Sequence, residues 1–151
     1  MENQNKIING GGKKIDDLLN ALENDTNASI MKLTNSKIKQ YKNNILQQIN
    51  LDRDQLKLFH KKLKHYRYCD DFISLQLGYY IRWISLKNPD NIKLTNGAII
   101  IDIKILDNGL HIVCKNNMNR IIQIKFDEVI IFQKLSNQEK IILSVLDYLD
   151  K

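Results

Sequence analysis

Between Gly78 and Leu135 the chain carries five short segments that read as β-strands: Tyr79–Leu86, Ala98–Leu106, Leu110–Lys115, Ile121–Phe126 and Val129–Gln133. Turn chemistry separates them. Asp107-Asn108-Gly109 lies between two alternating runs, where Asn and Gly tolerate the positive φ of a tight hairpin. Asn116-Asn117-Met118-Asn119 reads as a second hairpin loop, Asp127-Glu128 as a corner, and Lys87–Gly97, with Pro89, as a longer loop. A long first loop, short later hairpins and a short last strand are the pattern of small SH3-like barrels, Tudor-like and Sm-like folds included. Such a barrel binds something and seldom catalyses, which turns attention from an active site to a surface.

Alternation assigns the faces. Ile99, Ile101, Ile103 and Ile105 share one side of a strand, as do Leu110, Ile112 and Cys114, and Ile122, Ile124 and Phe126; these sides are expected to line the core. Asp102, Lys104, His111, Lys115, Gln123 and Lys125 occupy the opposite, solvent side. A helix is expected from Asn137 to about Leu149. Ser136 and Glu139 form its capping box, and Ile141, Ile142, Val145, Leu146 and Leu149 its buried stripe.

The N-terminal half is helical in pattern. Residues 1–12 are polar and end in three glycines, which reads as a disordered arm. Ile15, Leu18, Leu19 and Leu22 recur at helical spacing in a short amphipathic segment. Residues 28–68 hold neither Pro nor Gly, and their apolar residues recur at Ile38, Tyr41, Ile45, Ile49, Leu56, Phe59, Leu63 and Tyr66 with heptad-like steps. Asn50-Leu51-Asp52 could cap a second helix there. The organisation expected is an arm (1–12), a basic helical segment (13–68), and a barrel with its C-terminal helix (69–151), an α+β chain.

Charge is concentrated in one place. Residues 30–68 hold ten Lys and Arg against Asp52 and Asp54, a net +8, while residues 1–29 carry −2 and residues 69–151 are neutral. Arg53, Lys57, Lys61 and Lys64 recur along one helical face, with Lys62 and Arg67 beside it and Tyr68 close by as a stacking ring. Cations so arranged can neutralise phosphates and release counterions without reading sequence. The plainer reading of the same residues is a solvated helix face. The apolar seam of Ile45, Ile49, Leu56, Phe59 and Leu63 can pack on the chain's own barrel, on a second copy, or on a protein partner.

Catalytic and metal chemistry finds little support. His60, His65, Cys69, Asp70 and Asp71 are the only dense group of potential ligands, and they lack the second Cys pair of a structural zinc site. His111 and Cys114, three apart on a strand, face opposite sides of the sheet. Neither phosphate-loop nor dinucleotide fingerprint is present. No enzyme activity, metal or cofactor is expected. Cys69 and Cys114 are too few for a disulfide framework. No apolar run reaches membrane-spanning length, and the start, Met-Glu-Asn-Gln-Asn, lacks the apolar stretch of a signal peptide, so a cytoplasmic protein off the membrane is expected.

Four motifs carry a resemblance: Gly-Tyr-Tyr-Ile-Arg-Trp-Ile at 78–84, Gly-Ala-Ile-Ile-Ile-Asp-Ile-Lys-Ile at 97–105, His-Ile-Val-Cys-Lys-Asn at 111–116 and Val-Ile-Ile-Phe-Gln-Lys-Leu at 129–135. Residues 66–150 resemble small-barrel proteins of giant, mimivirus-like DNA viruses. The Lys-, Asn- and Ile-rich composition of an AT-rich genome agrees with such a source. The resemblance implies a viral-factory or virion protein in host cytoplasm and transfers no functional residue. Two functions are expected from these readings: a non-enzymatic nucleic-acid-associated protein, or a structural adaptor that uses the helical seam for a partner or a second copy.

Overall fold

A computed structural model describes residues 15–150; the expected arm at 1–12 lies outside them. The chain is α+β. Helix α1 covers 15–23, a 3-10 turn follows at Asp25–Ile30, and α2 (Asn35–Gln47) and α3 (Arg53–Lys62) complete the N-terminal helices. Six strands follow: β1 (Tyr66–Cys69), β2 (Tyr80–Ser85), β3 (Ala98–Leu106), β4 (Gly109–Lys115), β5 (Ile121–Lys125) and β6 (Val129–Lys134). Helix α4 (Asn137–Leu149) closes the order. Two compact units result: residues up to Lys37 together with those from Ser136, and Ile38–Leu135.

In the first unit, polar side chains join segments more than a hundred residues apart. Asn24 and Asn27 each donate through Nδ2 to Gln138 Oε1 (2.8 and 3.1 Å), and Asp147 accepts from the Asn35 backbone and side-chain amides (2.8 and 2.7 Å). Asp147 therefore supplies an acceptor and a negative charge at the start of α2, where backbone N–H groups lack helical partners. The Ser136–Glu139 capping box of α4 forms as expected. Its stripe is shifted: Ile142 and Leu143 are buried, whereas Leu149 is exposed.

In the second unit the sheet is antiparallel, ordered β1-β6-β2-β3-β4-β5. The closed five-stranded barrel is thereby corrected to an open six-stranded sheet with β1 and β5 at its edges. The added strand, Tyr-Arg-Tyr-Cys, is the segment expected to end a helix; it pairs with β6 in the register Tyr66↔Lys134 to Cys69↔Ile131. The expected helical run of 28–68 also breaks at Asn50–Leu51, where Asp52 and Gln55 form a capping box for α3. Residues 28–68 thus hold two α-helices and a strand, preceded by the end of a 3-10 turn.

One face of the sheet closes on a core of Cys69, Ile81, Trp83, Ile100, Ile112, Cys114 and Ile131, with Ile122 and Ile124 of β5 packed against it. Side chains from both edge strands, Cys69 of β1 and Ile122 and Ile124 of β5, belong to this one cluster. The other face of β1, β6 and β2 takes α2 and α3: Leu46, Phe59 and Leu63 pack with Tyr66, Ile84, Ile130 and Phe132. A bulge between Ile100 and Asp102 changes the phase of β3. The expected core side is corrected accordingly: Ala98 and Ile100 are buried before the bulge and Ile103 packs on the core after it, while Ile99, Ile101 and Ile105 are exposed. The hairpin at Asp107–Asn108 forms, with Leu106 opposite Gly109.

Candidate nucleic-acid interface

Helix α3 has two unlike sides. Phe59 and the capping Leu63 are buried against the sheet, and Leu56 is half-buried beside them. Arg53, Lys57, Lys61 and Lys62 are exposed on the helix, and Lys64 is exposed in the turn that follows. From Arg53 to Lys61 the helix rises about 12 Å, at about 1.5 Å per residue. Asp54 lies on the same helix, yet none of these five cations has a carboxylate within ion-pair distance among the described residues. Lys61 and Lys62 also sit in the last turn, where they complement the negative end of the helix dipole.

Two residues expected at this surface lie elsewhere. Arg67 is in β1, 4% exposed, on the core side of the sheet. Its Nη2 donates to Ser74 O (3.4 Å), which also accepts from Gln133 Nε2 (3.0 Å), and Gln133 Oε1 accepts from Gln76 N (3.0 Å). Arg67 thus helps hold the loop between β1 and β2 and presents no cation to solvent. Tyr68 is half-buried in β1 with its ring 6.0 Å from that of Phe132. Burial, then Asp70, raises its phenol pKa. Trp83 is buried in the core and the Tyr80 hydroxyl donates to Asn96 O, so these aromatics anchor the fold.

Lys42 lies within the basic segment of the sequence, and the structure gives it a different role. It is 4% exposed, and its Nζ donates to Leu63 O (2.7 Å) and Tyr66 O (3.1 Å), tying α2 to the junction of α3 and β1. The signal was present in the sequence: Ile38, Lys42 and Leu46 form an i, i+4 row that is apolar on either side of the lysine. Burial, then the charge of Lys39, brings its pKa down to about 8 from 10.5. A folded-state pKa below the unfolded one means that the unfolded chain binds more protons between the two values, so stability rises with pH there. Urea unfolding is expected to show increasing stability from pH 8 to about pH 10, above which buried Tyr66 and half-buried Tyr68, whose pKa values are raised by burial, oppose it. Lys42→Met should remove that rise; an unchanged rise would refute the assignment.

The neighbouring His60 contacts Asn43 Oδ1 (3.1 Å), and burial, then Lys42, holds its pKa below the ordinary imidazole value, so it adds little charge at neutral pH. The seam residues Ile45, Ile49, Leu56, Phe59 and Leu63 all belong to the cluster between the helices and the sheet. Of the three occupants open to this seam, the chain's own sheet takes it, which leaves these residues no free face for a partner or a second copy. A cleft of about 270 Å³ opens where Ile49 and Asn50 meet Ile84, Leu86, Pro89 and Ile92; no ionisable side chain lines it.

The ligand group around His65 does not assemble: Cys69 is buried in the core and Asp71 caps a 3-10 turn through Ile73 N (3.0 Å). Among the described residues no group of three or more His, Cys, Asp or Glu side chains could hold a metal ion, and no helix is long and apolar enough to cross a membrane. His111 and Cys114 take opposite faces. Cys114 is fully buried, with its thiol pKa pushed up to about 12 by burial, and His111 contacts Asn108 and Gln123 on the outer side. No family model, no curated protein and no solved structure matches the chain.

Proposed function

We propose that this is a non-enzymatic protein that associates with nucleic acid through the cationic side of α3, holding phosphate backbone without reading sequence. The observation that carries the reading is the exposure of Arg53, Lys57, Lys61 and Lys62 on α3 and of Lys64 in the turn after it, without carboxylate partners among the described residues, while the other side of the helix is fixed against a sheet. A rigid mount lets several cations meet one polyanion without a large ordering cost. The sheet serves as the platform. We read it as an SH3-like small barrel left open: β2 to β5 form a meander, a 3-10 turn follows at Phe126–Glu128, and β6 returns to β2. The viral setting implied by the four motifs would make a viral genome or transcript the polyanion.

The test is binding of labelled oligonucleotides of unrelated sequence, single-stranded and duplex, at low salt. The reading expects affinities that agree within about threefold across sequences of equal length, because phosphate contacts carry no sequence information. A preference of a hundredfold for one sequence, or no binding at all, would overturn it.

A further inference from the structure

The free edge of the sheet at β5 carries a second, independent surface. Asn116 N donates to Arg120 O across the hairpin (3.0 Å), which makes 116/120 a hydrogen-bonded pair. Such pairs alternate along an antiparallel ladder, so Cys114/Ile122 and Ile112/Ile124 also exchange bonds. The backbone groups of Ile121, Gln123 and Lys125 therefore point away from β4, towards an edge with no further strand among the described residues. Ile122 and Ile124 face the core but, on the edge strand, stay only half-buried. On the outer side the register places Lys115 beside Ile121, and Lys104 and His111 in line with Lys125. Residues 115–125 contain Lys115, Arg120 and Lys125 and no acid; Lys125 reaches Asp127 only at 3.9 Å.

We propose that this edge accepts an extended protein segment of about five residues as a seventh strand. The segment would alternate apolar side chains, which extend the core over Ile122 and Ile124, with Asp or Glu on the outer side against Lys115 and Lys125. Charge selects this occupant over a second copy. Two β5 edges paired with each other would bring together the Lys115, Arg120 and Lys125 cations of both copies with no acid from residues 115–125 to offset them. Because the proposal rests on the sheet edge and not on α3, it stands or falls apart from the nucleic-acid reading.

The probe is a capped seven-residue peptide of alternating Glu and Ile, with the Lys-for-Glu peptide as control, followed by amide hydrogen exchange and binding to the full chain. In the free protein the Ile121, Gln123 and Lys125 amides should exchange fast and those of Ile122 and Ile124 slowly. The acidic peptide should slow the first three at least tenfold, and the lysine peptide should not. Gln123→Pro removes an N–H that points only to the free edge, so it should keep the thermal midpoint and lose binding at least tenfold. Equal binding of both peptides, binding that survives Gln123→Pro in a folded variant, or no protection at the three amides would overturn the proposal. Protection that grows with protein concentration alone would show a second copy as the occupant and overturn it as well.

Discussion

Replacing Lys57, Lys61 and Lys64 together by glutamate is expected to weaken oligonucleotide binding by about a hundredfold or more at low salt, and to lower the salt slope by about 0.7 per lysine on single strands. The three side chains are exposed and have no ion-pair partner among the described residues, so their loss removes no internal contact there. Circular dichroism and the thermal midpoint should therefore change little; surface changes of this kind usually shift stability by about 0.5 kcal/mol or less, somewhat more for Lys61 in the last helical turn. Arg67→Met is the matched comparison. It deletes a cation that is buried beside Ser74, so it should reduce stability and leave the salt slope unchanged. If the glutamate variant binds as tightly as the parent protein, the α3 surface is a solvated face.

Gly97→Ala is expected to be the most damaging of single conservative changes to the fold. Gly97 has φ +97°, in a region that side-chain-bearing residues rarely adopt, and a Cβ there would run into the Ile81 carbonyl oxygen and the Tyr80 ring. The segment cannot simply give way. Thr95 N donates to Trp83 O (3.0 Å), Trp83 N donates to Thr95 Oγ1 (3.0 Å), and Arg82 Nε donates to Thr95 O (2.8 Å), so the residues before Gly97 are laced to β2. Backbone strain and steric displacement together should cost about 3 kcal/mol or more, a large part of a typical net stability of about 5–15 kcal/mol. For a chain of this size that is a drop of about 10 °C in the thermal midpoint. A midpoint within about 2 °C of the parent would show that the loop relaxes freely and that its lacing to β2 is weak.

What could be read from the sequence was local. The hairpin at Asp107–Gly109 and the capping box of Ser136 and Glu139 are specified by residues within a few positions of one another, and both form. The apolar alternation of β4 likewise gives the buried Ile112 and Cys114 directly. What escaped depends on distant partners. Tyr66–Cys69 is short, follows a helix without a Gly or Pro between them, and becomes a strand only because β6, some sixty residues later, offers an edge. In β3 the run Ala-Ile-Ile-Ile has apolar residues on both phases, so alternation could not reveal where the bulge falls. Barrel closure depends on the two edge strands meeting, which no local pattern specifies. Charge was the least legible feature. Lys42 and Arg67 look like the other cations of the segment, but burial makes one a tie between helices and strand and the other a loop anchor.

The distinction between a working polyanion surface and a solvated face rests on one titration: the affinity of the intact protein for a single-stranded oligonucleotide of mixed sequence, measured from about 50 to 200 mM salt. If α3 engages phosphates through three to five of its cations, log K should fall linearly with log salt with a slope of about −2 to −3.5, at about −0.7 per phosphate on single strands. A flat line, or no binding at the lowest salt, would contradict the account.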